Sequence, residues 1–229
     1  MFNQTKQIDL MEDLLTDIHE EKLQLTDKEI FTKIWTYPRQ VFKFLDETYY
    51  DRFETILLVL AGISRTFDRA SLKNMGDKMS LGGVIAFCIV AGGLLGWISY
   101  YIYAALLSWT GKWLNGQGNT KSILRMLAHA MLPTIVALIF LIPQIIIYGN
   151  EVFKSEGDII SAGLTSNIIV YGSMILEFIL GVWTIILVVI GLSVVQKISI
   201  GKSILNLLLP ILIILVPILL IVFLIKAMS

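Results

Sequence analysis

Residues 203–225 read SILNLLLPILIILVPILLIVFLI, and after Ser203 the single polar side chain is Asn206. A run of this kind leaves the chain few options. Hydrocarbon offers no water to backbone amides and carbonyls, so the run must satisfy them internally as a helix. About 20 residues at 1.5 Å each match the thickness of a bilayer core. Hydrophobic residues make up 56% of the 229, against roughly 45–50% in soluble domains, and the excess is gathered into such runs. The expected fold is all-α: a polytopic membrane helix bundle of about five transmembrane helices behind a short helical N-terminal region.

The expected division is an N-terminal region of residues 1–52 and a membrane domain of residues 53–229, with spans near 53–72, 81–114, 123–148, 168–195 and 204–225. The first span is the weakest. Its apolar part covers 53–67, short of the roughly 17–25 residues of a simple span, and it runs into Arg65, Asp68 and Arg69. Either it takes those charges into the membrane, with the helix continuing to about Leu72, or it dips in without crossing. The first option is preferred.

The N-terminal region concentrates acids, among them Asp9, Glu12, Asp13, Asp17, Glu20 and Glu21. Ile8, Met11, Leu15 and Ile18 fall at helical spacing between them. Two readings stand: an amphipathic helix that docks on a protein partner or on the rest of the protein, or a loosely ordered acidic tail. His19 reads as a solvated side chain. Thr26 and Glu29 have the spacing of a capping box, which starts a short helix near Asp27. Pro38 suits the first turn of a further helix over 38–50. Its aromatic and basic residues favour the headgroup region, so it is expected to lie along the membrane.

Within the spans, Gly92 and Gly96 form a small-xxx-small pair, read either as a face for a second copy of the chain or as packing within its own bundle. Trp109 and Trp113 read as an aromatic belt. The third span carries Arg125 and His129 one turn apart, and Pro133 and Pro143 should kink it. His129 is either a proton carrier or ligand, or a hydrogen-bonding packing residue. Glu177 lies well inside the fourth span, where an ionisable group needs a partner. Arg65 and Arg69 are the natural candidates, so Arg65, Asp68, Arg69, Glu177 and His129 are the charged-cluster candidates, with Glu177 expected to pair with one of the arginines.

Lysine plus arginine and aspartate plus glutamate number 18 each. The basic footprint of a nucleic-acid binder is absent, and no nucleic-acid partner is expected. A basic n-region followed by an apolar core is missing from the first residues, so no cleavable signal is expected. Cys88 is the lone cysteine, which rules out an internal disulfide and a cysteine-built metal site. No cofactor or metal is expected. With five spans, Arg39, Lys43, Arg52, Lys112, Lys121, Arg125, Lys197 and Lys202 gather on one side. Lys73, Lys78, Lys154 and Lys226 gather on the other. The excess of positive charge on the first side places the N-terminus in the cytoplasm.

The pattern resembles the Yip family, the Ypt/Rab-interacting membrane proteins. The resemblance rests on the entry IWTYPRQVFKFL and on the glycine-rich second span leading into GKWLNGQGNTKSILRMLAHAMLP. It rests also on the span ending VWTIILVVIGLSVVQKISIGKSI and on five spans behind a cytoplasmic N-terminal region. It covers residues 30–229 and implies an integral membrane protein without known catalysis. The compact form is similar to prokaryotic members, which places the chain in a bacterial cytoplasmic membrane. Eukaryotic members bind prenylated Rab GTPases and vesicle-budding proteins. Their aspartate–leucine–tyrosine–glycine–proline motif is absent here, and no functional residue is carried over.

Two functions compete. One is a scaffold or interaction protein embedded in the lipid bilayer, with the acidic N-terminal helix as its docking element. The other is a small-solute, ion or lipid transporter whose charged cluster lines a polar pathway. A phosphate loop, an HExxH motif and a serine nucleophile motif are all absent, so an enzyme is not expected.

Overall fold

The computed structural model describes residues 24–158 and 163–228, and helices are its regular elements. The acidic segment with Ile8, Met11, Leu15, Ile18 and His19 lies outside the described residues. Helix α1 is Asp27–Lys33. Thr26 caps it, and the capping box with Glu29 is complete in both directions. Helix α2 is Pro38–Glu47, with Pro38 at its first turn. Asp27 ties the two together by accepting from the Tyr50 hydroxyl at 2.7 Å and from Arg52 at 2.5 Å.

The apolar side of α2 is not presented to lipid. Val41, Phe42, Phe44 and Leu45 are all buried, because later helices of the bundle cover them. Phe42 and Met126 meet at Gly191, where an added Cβ would stand 3.3 Å from the Phe42 ring. Of the aromatics that suggested a headgroup helix, Phe42 and Phe44 are spent on protein packing, while Tyr37 and Tyr49 stay exposed.

Helix α3 (Glu54–Leu72) runs unbroken through the charged stretch. A left-handed Asn74 and a single 3-10 turn lead into α4 (Leu81–Trp113), which is capped by Ser80. The two helices are antiparallel and closely packed, with Gly62 of α3 against Gly92 and Gly96 of α4. The α3–α4 turn lies beside the 3-10 segment Gly149–Phe153. The Ser71 hydroxyl donates to the Val152 carbonyl at 3.1 Å, and the Asn150 amide donates to the Gly76 carbonyl at 2.9 Å. The beginning of α3 lies instead at the end of the bundle that carries α1 and α2. Helix α3 therefore passes from one end of the bundle to the other. At 19 residues it is about 28 Å long, close to the roughly 30 Å of a hydrocarbon core.

The expected third span is two helices, α5 (Thr120–Ala130) and α6 (Leu132–Tyr148). Pro133 is the cause. It has no N–H for the His129 carbonyl, and its ring displaces that carbonyl from helical geometry. The chain breaks at Met131, and the proline sits in the first turn of α6 rather than kinking a continuous helix. Pro143 remains inside α6. Every residue from Ser122 to Ala130 is buried, so α5 is an interior element walled by its neighbours.

Helix α7 (Leu164–Val195) packs along α6, and α8 (Ile200–Met228) contains Pro210 and Pro217. The start of α8 is fastened to α4 by Asn206, whose side-chain oxygen accepts from Thr110 at 2.7 Å. Beyond Pro210 its described side chains are mostly exposed. Among the described residues four segments are long and apolar enough to cross a membrane: Leu81–Trp113, Thr120–Phe153, Leu164–Val195 and Ile200–Leu219. This is close to the expected five; α3, which carries Arg65, Asp68 and Arg69, is not among the four. The exposed Leu94, Ile146, Phe178 and Phe223 on their outer faces suit contact with lipid.

Candidate functional site

Helix α3 sorts its charges by face. Gly62, Arg65, Thr66, Arg69 and Lys73 recur at spacings of three and four, so they share one side. Ser64, Asp68 and Ser71 share another. The first side borders a cavity of about 610 Å³ against α4, which Lys78 enters from the turn. The second borders a cavity of about 430 Å³ against α6 and α7, lined among others by Thr134, Gln144 and Glu177. The expected single cluster is thus two sites, a cationic one and an acidic one, separated by the body of α3.

Glu177 does not pair with an arginine. Its Oε1 accepts from Gln144 Nε2 at 2.5 Å, and the same nitrogen donates to the Phe140 carbonyl at 3.2 Å. Asp68 faces the same cavity. The pairing expectation fails because Glu177 approaches α3 from the α7 side, whereas Arg65 and Arg69 turn toward α4. Arg65 lies over the Tyr100 ring, 5.9 Å from its centroid.

His129 lines neither cavity. It is fully buried on α5. Its Nδ1 donates to the Arg125 carbonyl at 2.9 Å, and the Tyr50 ring stands 6.2 Å away.

The seam between α3 and α4 is closed backbone to backbone. A Cβ on Gly62 would stand 2.5 Å from the Gly92 carbonyl oxygen, and a Cβ on Gly92 would stand 2.7 Å from the Ile63 Cα. Gly92 and Gly96 are therefore covered by α3 of the same chain.

The Yip1 domain model matches residues 32–221. The chain belongs to the Yip1 domain family. No curated protein and no solved structure matches it.

The Yip1 domain takes in both faces of α3, the glycine seam and two further buried polar features, the first of which the sequence left unmarked. One is Gln196, at the end of α7. Its side-chain oxygen accepts from the Gly118 amide at 3.1 Å, and its Nε2 donates to the Leu107 carbonyl at 2.9 Å. The glycine loop closes round it, because a Cβ on Gly111 or Gly116 would run into the Gln196 side chain, and one on Gly118 would crowd it and the Val195 carbonyl. The density of glycine in GKWLNGQGN was the available signal, but nothing in the sequence said what the glycines make room for.

The other is Arg125, 2% exposed under the N-terminal layer. Its guanidinium donates to the Leu45 carbonyl at 3.5 Å and lies over the Tyr49 ring at 5.5 Å. Burial raises the Asp46 carboxyl above its ordinary value, and the Arg125 guanidinium offsets only part of that rise. Arg125 thus binds the N-terminal layer of the Yip1 domain to its membrane-embedded core. No group of three or more histidine, cysteine, aspartate or glutamate side chains gathers as for a metal among the described residues.

Proposed function

We propose that this Yip1-domain protein is a membrane scaffold, a bundle that holds surfaces in place for partners and does not carry solutes. The observation that supports this reading is the separation of the charges. A transport path built on the cluster needs continuous polar space from Arg65 to Glu177. The cationic and acidic cavities instead lie on opposite sides of α3, and at Gly62, Gly92 and Gly96 the backbones of α3 and α4 meet. A closely packed seam suits a bundle that keeps one shape. The N-terminal region lies on the cytoplasmic side of a bacterial cytoplasmic membrane, and its acidic segment is the docking element for a protein partner.

Reconstitution tests the reading. Vesicles containing the purified protein should show no more flux of ions or small solutes than protein-free vesicles. In cells, photo-crosslinkers placed at Glu12 or Asp17 should give discrete adducts that vanish when the neighbouring acids are changed to lysine. Saturable flux that disappears in Glu177→Gln would overturn the scaffold reading in favour of transport.

A further inference from the structure

The cationic cavity has an unusual balance of charge. Arg65, Arg69 and Lys73 follow one another at single-turn intervals on α3, and Lys78 joins them from the turn. Among the described residues none of the four has a carboxylate within the 4.0 Å of an ion pair, since the pairs formed are Lys33–Glu29, Lys43–Glu47, Arg52–Asp27 and Lys154–Glu151. Asp68, the nearest acid in sequence, faces the other cavity. Arg65 still feels Asp68 beyond ion-pair distance, but one carboxylate set against four cations leaves an excess of positive charge, which suits an anion from the bilayer surface.

The opposite wall is apolar. It is formed by Phe87, Ala91, Leu95, Ile98 and Ile102 of α4. From Phe87 to Ile102 this wall extends about 22 Å, more than half of the roughly 30 Å hydrocarbon core. A second cavity of about 480 Å³ continues round α4 and shares Phe87, Ala91 and Leu95 with the first. The site is thus charged near the turn and greasy along its length.

Two hydroxyls also border the cavity, and both are occupied. Thr66 donates to the Gly62 carbonyl at 2.8 Å, and Ser99 donates to the Gly96 carbonyl at 2.7 Å. Little remains to recognise a sugar or an amide, so recognition is by charge and by apolar length.

We propose that this groove binds an anionic phospholipid. Its phosphate sits among Arg65, Arg69, Lys73 and Lys78, where guanidinium groups can grip two oxygens at once, and its acyl chains lie along α4. A free phosphate would satisfy the cations but leave the apolar wall bare.

Native mass spectrometry of the delipidated full chain in detergent tests this, with phosphatidylglycerol and phosphatidylcholine as probes. Phosphatidylglycerol should form a one-lipid adduct at concentrations where phosphatidylcholine forms none. The pair Arg65→Gln/Arg69→Gln should weaken it at least roughly tenfold, on the scale of a few-fold for each basic residue near an anionic surface. Lys73→Gln/Lys78→Gln, at the turn where folding is least at stake, should do the same. Ala91→Trp should weaken it too by filling the apolar wall, and Lys112→Gln at the far end of α4 should leave it unchanged. Equal binding of the two lipids overturns the proposal, as does an adduct that survives both cation pairs. Displacement by millimolar sodium phosphate, with no effect of Ala91→Trp, would show a soluble-anion site and overturn it as well.

Discussion

Gln144 donates to the Glu177 carboxylate at 2.5 Å, across a cavity that the arginines of α3 do not border. A neutral side chain thus takes the place expected of a cation, and this fixes what substitutions there should do.

Glu177→Gln keeps an acceptor for Gln144 and removes one of two carboxylates facing the same cavity. Its stability in detergent should stay close to wild type, within about 0.5 kcal/mol. Gln144→Leu leaves the Glu177 carboxylate without its donor and should cost about 1–3 kcal/mol. Arg69→Gln combined with Glu177→Gln should be additive, because the two side chains share no contact. Strong coupling between them would show that they meet in the membrane.

The glycine seam predicts a sharp contrast. Gly62→Ala sets a Cβ 2.5 Å from the Gly92 carbonyl oxygen, so α3 and α4 must move apart, at a cost of about 1–3 kcal/mol. Gly172 of α7 has nothing within 4 Å of where its Cβ would stand. Gly172→Ala should therefore stabilise the helix by about 0.5–1 kcal/mol. Thermal unfolding of the two variants in the same detergent reads the difference directly.

Gln196→Ala would strand the Gly118 amide and take from the Leu107 carbonyl the donor it has in addition to its helical one. The expected loss is about 1–3 kcal/mol for the amide left buried without a partner. Because the loop over 114–119 is wrapped on this side chain, limited proteolysis should cut the variant there and leave the wild type intact.

Glu29 supplies a pH dependence of known sign. The bond from Lys33, and then those from Thr26, hold its carboxyl at about 2, below the ordinary 4.5. A carboxyl lowered by folding stabilises the folded form fully above its ordinary value and loses that effect as the pH falls toward the lowered one. Amide protection across α1 in micelles should therefore decline between pH 4.5 and 2. Glu29→Gln should flatten that decline.

What could be read from the residues followed the range of the interaction. Thr26 with Glu29, and Pro38 at a helix start, are local chemistry and were legible. Gly92 and Gly96 were legible as a motif, but their counterpart Gly62 was not, since an AG step within an apolar run carries no mark of its own. Pro133 was legible as a disturbance, and the choice between a kink and a break depended on how α5 is walled in. The charged residues were legible as a group and misread as a cluster. Which side of α3 meets α4 is decided by the glycine contact, and that contact alone sends Arg65 and Asp68 to different cavities. Gln196 read as the edge of a loop because its burial is conferred by glycines far away in sequence.

The Gln196 clasp has a mechanical consequence. With the Asn206–Thr110 bond and the Lys202 ammonium on the Leu114 carbonyl, it clamps α4, α7 and α8 together at one end of the bundle. The packing at the opposite end is a small cluster of Ala70, Val84, Cys88 and Phe153. A beam clamped at its root deflects most at its tip. Lateral tension or a change in bilayer thickness would therefore leave the clasped end almost undistorted, and the load at the other end would fall on the few bonds from Ser71 and Asn150 that tie the α3–α4 turn to the Gly149–Phe153 segment.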